Sequence, residues 1–199
     1  EKVGEDKAVL LMHTEPRDPH GQDLVSIMKN LDLLNGQVLL SQDKISPEDL
    51  SLVYSACDCT INIADAEGFG LSTLESLASE TPIIVNMTGG LQEQVTDGNE
   101  FFGFGIEPSS KAIIGSQDVP WIYEDRISKE DFLDAMIKFY NLSTEERQEL
   151  GRKGRAHVLK DYGFDKHSEQ WRKVVTETME QFGSWENRKN YKHWSFKEL

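Results

Sequence analysis

Cysteine is scarce: Cys57 and Cys59 are the only two in 199 residues. That excludes a disulfide framework and a four-cysteine zinc site. The pair reads as two small apolar residues, and a reducing, cytoplasmic compartment fits them. Long apolar runs are missing as well, since none approaches the roughly 18 residues that a membrane span needs. Residues 1–7 are rich in charge and carry no signal-peptide pattern. Positive charge is short: 21 Lys and Arg face 35 Asp and Glu, a net charge of −14. A nucleic-acid binder would show a basic patch or stripe, and adsorption on anionic lipid would need one too. The acidity speaks for solubility and does not choose a fold. There is no internal repeat and no low-complexity tract. Two glycosylation triplets, Asn86-Met87-Thr88 and Asn141-Leu142-Ser143, are common chance matches.

What is present suits an ordinary globular core, with 38% hydrophobic and 28% charged residues. The first half alternates strand-like and helix-like stretches. "KAVLLMH" (7–13) and "QVLLS" (37–41) are short apolar runs. Between them, "QDLVSIMKNLDLL" (22–34) places Leu24, Ile27, Met28, Leu31 and Leu34 at helical spacing. "SPEDLSLVYSACD" opens with Ser46 as N-cap, Pro47 at the first helical position and acids in the first turn. "CTINIA" (59–64) and "PIIVNM" (82–87) read as strands, and "LSTLESLASE" (71–80) as the helix between them. Short apolar strands separated by helices predict a Rossmann-like α/β fold, a parallel sheet with helices on both faces.

The second half predicts a short strand broken by Gly103 and Gly105, and then a loop over residues 115–126, which has neither period. Three helices follow, with Ser128 capping the first and a Ser143–Glu146 capping box opening the second. Domain boundaries are expected at residues 1–183 for the main domain and its helical extension, and 184–199 for a tail. That tail mixes Trp185, Tyr191, Trp194 and Phe196 with Arg188, Lys189, Lys192 and Lys197.

Two glutamates raise the functional question: Glu67 stands beside Gly68 and Gly70, and Glu75 among leucines. In an open parallel sheet, ligands bind outside the carboxyl ends of the strands, and the loop 65–70 lies at such an end. Gly68 and Gly70 allow close approach and positive φ. The first helical N–H groups, at Leu71, Ser72 and Thr73, favour an anion such as a phosphate. Glu75 shares a helix face with Leu71, Leu74 and Ala78, a face expected to point inward. A carboxylate there needs donors, and vicinal ligand hydroxyls are one source while a neighbouring backbone is another. Glu67 reads as a sugar contact or, on spacing alone, as a solvated loop residue. No third glycine completes a dinucleotide fingerprint. A second loop, Thr88-Gly89-Gly90, ends the next strand and forms a crevice with the first.

In these motifs the chain resembles the C-terminal half of family-4 retaining glycosyltransferases of the GT-B fold. The residues that carry the resemblance are Glu67, Gly68-Phe69-Gly70, Glu75, Pro82 and Gly89-Gly90, together with the stretch from "QVLLS" to "CTINIA". The resemblance runs from about Lys7 to Gly98 and more loosely through the C-terminal helices. It implies a nucleotide-sugar donor of the GDP-mannose or UDP-hexose type. Glu67 would be the catalytic-site glutamate and would contact the donor sugar. Phe69, Gly70 and Leu71 would line the sugar and phosphate site with Gly68, and Ser72 and Thr73 would lie at the diphosphate. Glu75 would hold the ribose hydroxyls. Ser41, Gln42 and Lys44 would border the nucleobase, and Gly89 and Gly90 would shape an acceptor-facing wall. The family needs no bound metal and no cofactor, and none of the five histidines is spaced with another as ligands are.

The sequence departs from the family in one respect. The arginine and lysine that usually meet the diphosphate have no counterpart here, because Lys2 and Lys7 do not sit in that context. The resemblance therefore implies a donor-binding half, with the other GT-B half, which supplies the acceptor site, outside this chain. The terminal aromatics would pack on that half or form a frayed segment. Other readings stay open: a GT-B sugar-nucleotide epimerase, a non-catalytic nucleotide-sugar-binding domain, and, with least support, a two-carboxylate hydrolase.

Overall fold

The computed structural model describes residues 4, 7–19, 21–190 and 197. The chain divides into two compact units, Glu1–Pro47 and Glu48–Leu199. In the first, β1 (Leu10–His13) pairs in parallel with β2 (Val38–Ser41), Leu10 opposite Val38 and His13 opposite Ser41. The crossover carries α1 (Leu24–Asn30), capped by Asp23, whose carboxylate accepts the Ser26 N–H at 3.0 Å. The helix is shorter than its apolar spacing predicts. Asp32 takes a left-handed φ of 56° and turns the chain before Leu33 and Leu34.

The second unit begins with α2 (Pro47–Ser55), which starts where Ser46-Pro47 predicts. Its sheet is β3 (Thr60–Asn62), β4 (Ile83–Asn86) and β5 (Gly103–Ile106), all parallel, with β4 in the middle. The helices α3 (Leu71–Ala78) and α4 (Leu91–Val95) follow β3 and β4. Every β4 residue is buried, as a central strand covered on both faces requires. Alternation along it sorts the core. Ile83 and Val85 pack with Leu77 of α3, Leu91 and Val95 of α4, and Phe102. Ile84 points the other way, into a cluster with Ile106 and, from α5 (Lys129–Tyr140), Ala135 and Phe139. Each of these side chains except Ala135 contributes about 1.5–3 kcal/mol on burial. The expected parallel sheet with helices on both faces is present in this unit.

The capping box at Ser143 and Glu146 opens α6 (Thr144–Asp161), and α7 (Phe164–Phe182) follows Gly163. Val158 of α6 joins the Leu77 cluster. The two helices α6 and α3 meet at backbone distance. A Cβ on Gly151 would sit 1.9 Å from the Glu80 carbonyl oxygen, and one on Gly154 would sit 2.5 Å from a Leu77 methyl. The approach of Gly151 to that backbone oxygen admits only glycine.

Residues 115–126 are not all loop, contrary to expectation. Ile122–Arg126 form β7, antiparallel to β6 (Ser110–Ile114), with Lys111 opposite Asp125 and Ile113 opposite Tyr123. The ribbon is largely exposed, so neither strand needs the alternation that marks a half-buried one. It is pinned instead by polar bonds. The Asp125 N–H donates to the Asp65 carbonyl at 2.7 Å, and the Asn86 amide donates to the Asp125 carbonyl at 2.5 Å.

No described helix is long and apolar enough to cross a membrane. In the tail, the Arg188 guanidinium lies 4.2 Å over the exposed Trp185 ring. Tyr191, Lys192, Trp194 and Phe196 lie outside the described residues.

Candidate functional site

The loop between β3 and α3 lies at the carboxyl end of the sheet. Asn62, the last residue of β3, shapes its start: its Oδ1 accepts the Ala64 N–H at 3.1 Å and its Nδ2 donates to Glu67 Oε2 at 3.4 Å. Glu67 is half-buried and Gly68 exposed. Nothing lies within 4 Å of where a Gly68 Cβ would be, so the space over that backbone is open. Of the two glycines expected to need positive φ, only Gly70 does, at 85°. It occupies the N-cap of α3, where it leaves the first turn without a side-chain cap.

The second loop presses on the first. A Cβ on Gly89 (φ 48°) would fall 1.7 Å from the Glu67 carbonyl oxygen, and one on Gly90 would fall 2.6 Å from that of Phe69. The two glycine loops therefore share a backbone contact with no room for a side chain between them. Gln94 of α4 completes the joint from below. It is fully buried, and its Nε2 donates to the Phe69 carbonyl at 2.5 Å. Its Oε1 lies 2.6 Å from the Thr73 hydroxyl. Phe69 meets the Tyr162 ring edge-on, with centroids 5.9 Å apart. Tyr162 and His157 both reach the Glu93 carbonyl, at 3.2 and 2.9 Å, which ties α6 to the end of α4.

The inward face of α3 is not the one that the sequence predicts. Thr73, Ser76 and Leu77 are buried; Leu71, Ser72 and Glu75 are exposed. The ring of core contacts at Ser76 explains the rotation: its hydroxyl meets Thr60 Oγ1 at 2.8 Å and the Thr81 carbonyl at 2.9 Å. Glu75 thus faces outward and has a protein donor, the Tyr54 hydroxyl at 3.0 Å. Burial and that carboxylate push the Tyr54 phenol above its ordinary range, so it stays a donor.

The model of the family described as glycosyl transferases group 1 matches residues 19–157. The chain belongs to that family. It is 32% identical over 93 residues to the alpha-monoglucosyldiacylglycerol synthase of Streptococcus pneumoniae, a match covering 47% of this chain and 20% of that protein. Among solved structures, the sucrose-phosphate synthase of Thermosynechococcus elongatus superposes with a TM-score of 0.64 at 19% identity, over 87% of this chain and 39% of that one. The Anabaena protein HepE, in complex with UDP and glucose, superposes with a TM-score of 0.57 at 13% identity, over 88% and 50%. The chain thus spans between a fifth and a half of the length of these relatives.

Within the second unit, the residues that the resemblance singles out gather at one end of the sheet: Glu67 to Thr73 in one loop and helix start, Gly89 and Gly90 against them, and Glu75 one turn along α3. Of these, Thr73 presents no hydroxyl outward, because that group is spent on Gln94 and the Gly70 carbonyl. Ser41, Gln42 and Lys44 belong to the first unit, at the end of β2, where the Ser41 hydroxyl lies 2.9 Å from His13 Nδ1. Sequence reasoning missed Tyr54 and Gln94. The only signal for Gln94 was its place in "LQEQV", a polar residue at an inward helical position. The triplet asparagine Asn86 is fully buried and donates to the Ala64 and Asp125 carbonyls, so it is no glycan acceptor. The cysteines also take no part. Burial raises both thiols, Cys59 to about 12, which leaves it a poor nucleophile.

Proposed function

We propose that this chain is the donor-binding half of a retaining GT-B glycosyltransferase. The observation that carries the reading is the uncapped start of α3, presented at the carboxyl end of β3 beside the open backbone of Gly68 and flanked by Glu67 and the outward Glu75. The N–H groups of Leu71, Ser72 and Thr73 and the helix dipole receive the diphosphate of a nucleotide sugar. Glu75, oriented by Tyr54, accepts the ribose hydroxyls. A UDP-hexose or GDP-mannose is the donor; HepE, a structural relative, is in complex with UDP and glucose.

In the transfer, the bond from the anomeric carbon to the diphosphate oxygen breaks. The acceptor oxygen bonds to that carbon on the same face, and its proton leaves on the diphosphate. Glu67, half-buried beside the sugar, opposes the positive charge that develops at the anomeric carbon, and the α3 N–H groups stabilise the departing anion. No resident metal or cofactor takes part. Residues 1–183 make up the donor-binding domain, and the tail begins at residue 184. A second GT-B half completes the enzyme, in the cytoplasm.

Calorimetric titration with UDP-, GDP- and ADP-sugars tests this. One nucleotide class should bind, and Glu75→Ala should abolish it. Equal binding by the variant would overturn the assignment of Glu75.

A further inference from the structure

The stretch from Ile63 to Gly70 lies outside β3 and α3, so its backbone groups must find partners elsewhere. Gln94 takes the Phe69 carbonyl. Asn86, at the end of β4, donates to the Ala64 carbonyl at 2.9 Å. The Asp65 carbonyl is held from the ribbon, by the N–H of Asp125 at 2.7 Å. Asp65 stands two residues ahead of Glu67.

Asp125 makes three further contacts. Its own carbonyl accepts the Asn86 amide at 2.5 Å, so Asn86 Nδ2 joins Asp125 to Ala64. The Asn86 side chain is fully buried and its Oδ1 meets no protein donor among the described residues, which leaves Nδ2 as the end that bonds. The Asp125 carboxylate accepts the Thr88 hydroxyl at 2.9 Å through one oxygen and pairs with Lys111 at 3.2 Å through the other. The Lys111 contact is largely exposed and ties only β6 to β7. The Thr88 contact leaves the ribbon: Thr88 is buried and immediately precedes Gly89. One residue of an otherwise exposed ribbon thus grips both loops of the site, Asp65 with its backbone and Thr88 with its side chain. Both gripped residues lie just ahead of the two that touch, Glu67 with its carbonyl and Gly89.

We infer that Asp125 is a positioning residue: through Asp65 and Thr88 it sets the loop that carries Glu67 against the loop that carries Gly89 and Gly90. Its consequence for the donor rests on the glycosyltransferase reading, to which it adds a residue of β7 that touches no ligand and shapes the site from behind.

Four variants of the full chain test this, by amide exchange and by titration with UDP-glucose and GDP-mannose. Asp125→Ala removes both side-chain contacts, and Thr88→Val, of the same shape as the parent residue, removes the loop's share. Asp125→Asn keeps an oxygen for the Thr88 hydroxyl, and Lys111→Ala removes the ion pair alone. Asp125→Ala and Thr88→Val should each speed exchange about tenfold in residues 65–70 and 88–90, as the loss of a hydrogen bond to a charged group does. Each should also weaken binding of the nucleotide sugar that the parent binds, about fivefold. Asp125→Asn should restore most of the protection of both loops, and Lys111→Ala should leave them as in the parent. A ribbon that merely rests on the loops would give faster exchange in residues 110–126 alone. That pattern overturns the inference, as does parental nucleotide-sugar binding by Asp125→Ala. If the parent binds neither nucleotide sugar, the glycosyltransferase reading falls, and the exchange pattern by itself decides whether Asp125 sets the loops.

Discussion

Gln94 holds Thr73 and Phe69 in a single grip, 2.6 Å from the hydroxyl of one and 2.5 Å from the carbonyl of the other. One buried amide thus fixes the glycine loop to the first turn of the helix that follows it. Gln94→Leu would strand the Phe69 carbonyl and leave the buried Thr73 hydroxyl with the Gly70 carbonyl alone. We expect a loss of about 2 kcal/mol or more, read as a lower denaturant midpoint with an unchanged m-value. The same change should weaken nucleotide-sugar binding, because the start of α3 is no longer fixed. A Gln94→Leu chain as stable as the parent would show that the grip contributes nothing.

The glycines of the two loops should differ sharply. Gly89→Ala sets a methyl 1.7 Å from the Glu67 carbonyl oxygen, and Gly90→Ala sets one 2.6 Å from that of Phe69. Backbone must move in either case, at a cost of about 2 kcal/mol or more. Gly68→Ala meets nothing within 4 Å, so thermal melting should find it within about 0.5 kcal/mol of the parent. Its methyl would nevertheless stand in the space that the donor is proposed to fill. Gly68→Ala should therefore lose affinity for nucleotide sugar while keeping its melting temperature.

Tyr54→Phe removes the donor to Glu75 and little else. Stability should change by less than about 1 kcal/mol, as for a single exposed hydrogen bond. Donor affinity should fall about two- to fivefold, a smaller effect than that of Glu75→Ala, since the carboxylate remains but loses its orientation. Calorimetry on both variants checks the order.

Acid should release the β6–β7 ribbon. The Thr88 hydroxyl, followed by Lys111, holds the Asp125 carboxyl below the ordinary 3.8. A carboxyl lowered on folding contributes stability that is complete above its unfolded value and is lost as the pH falls through the folded one. Amide exchange in residues 110–126, corrected for intrinsic rate, should stay slow down to about pH 4 and accelerate below it. In Asp125→Asn the acceleration should vanish, the ribbon being looser at every pH.

Much of this was legible in the sequence, and the failures have physical causes. The run "PIIVNM" could only be a covered strand, and Ser143 with Glu146 could only open a helix. The loop 65–70 was found because glycine at a helix start has few other uses. The β6–β7 ribbon was invisible since its strands are held by Asn86 and Asp65, bonds to carbonyls that leave no trace in hydrophobic order. The face of α3 was misjudged because Leu71 and Leu74 outweighed Thr73 and Ser76 in the reading. The helix turned instead to bury the two hydroxyls, which have partners at Gln94 and Thr60. Tyr54 carries no mark of a polar role in the sequence, although its hydroxyl reaches across to Glu75.

The bare contact of α6 on α3 has a kinetic consequence. With Gly151 against the Glu80 carbonyl and Gly154 against Leu77, the far end of α3 is wedged, while Gln94 secures the near end. Such a helix cannot slide along its axis to meet a ligand. An anion arriving at its first turn would find the receptor already shaped, and the association rate would be governed by encounter and orientation, with no slow conformational phase in the binding trace.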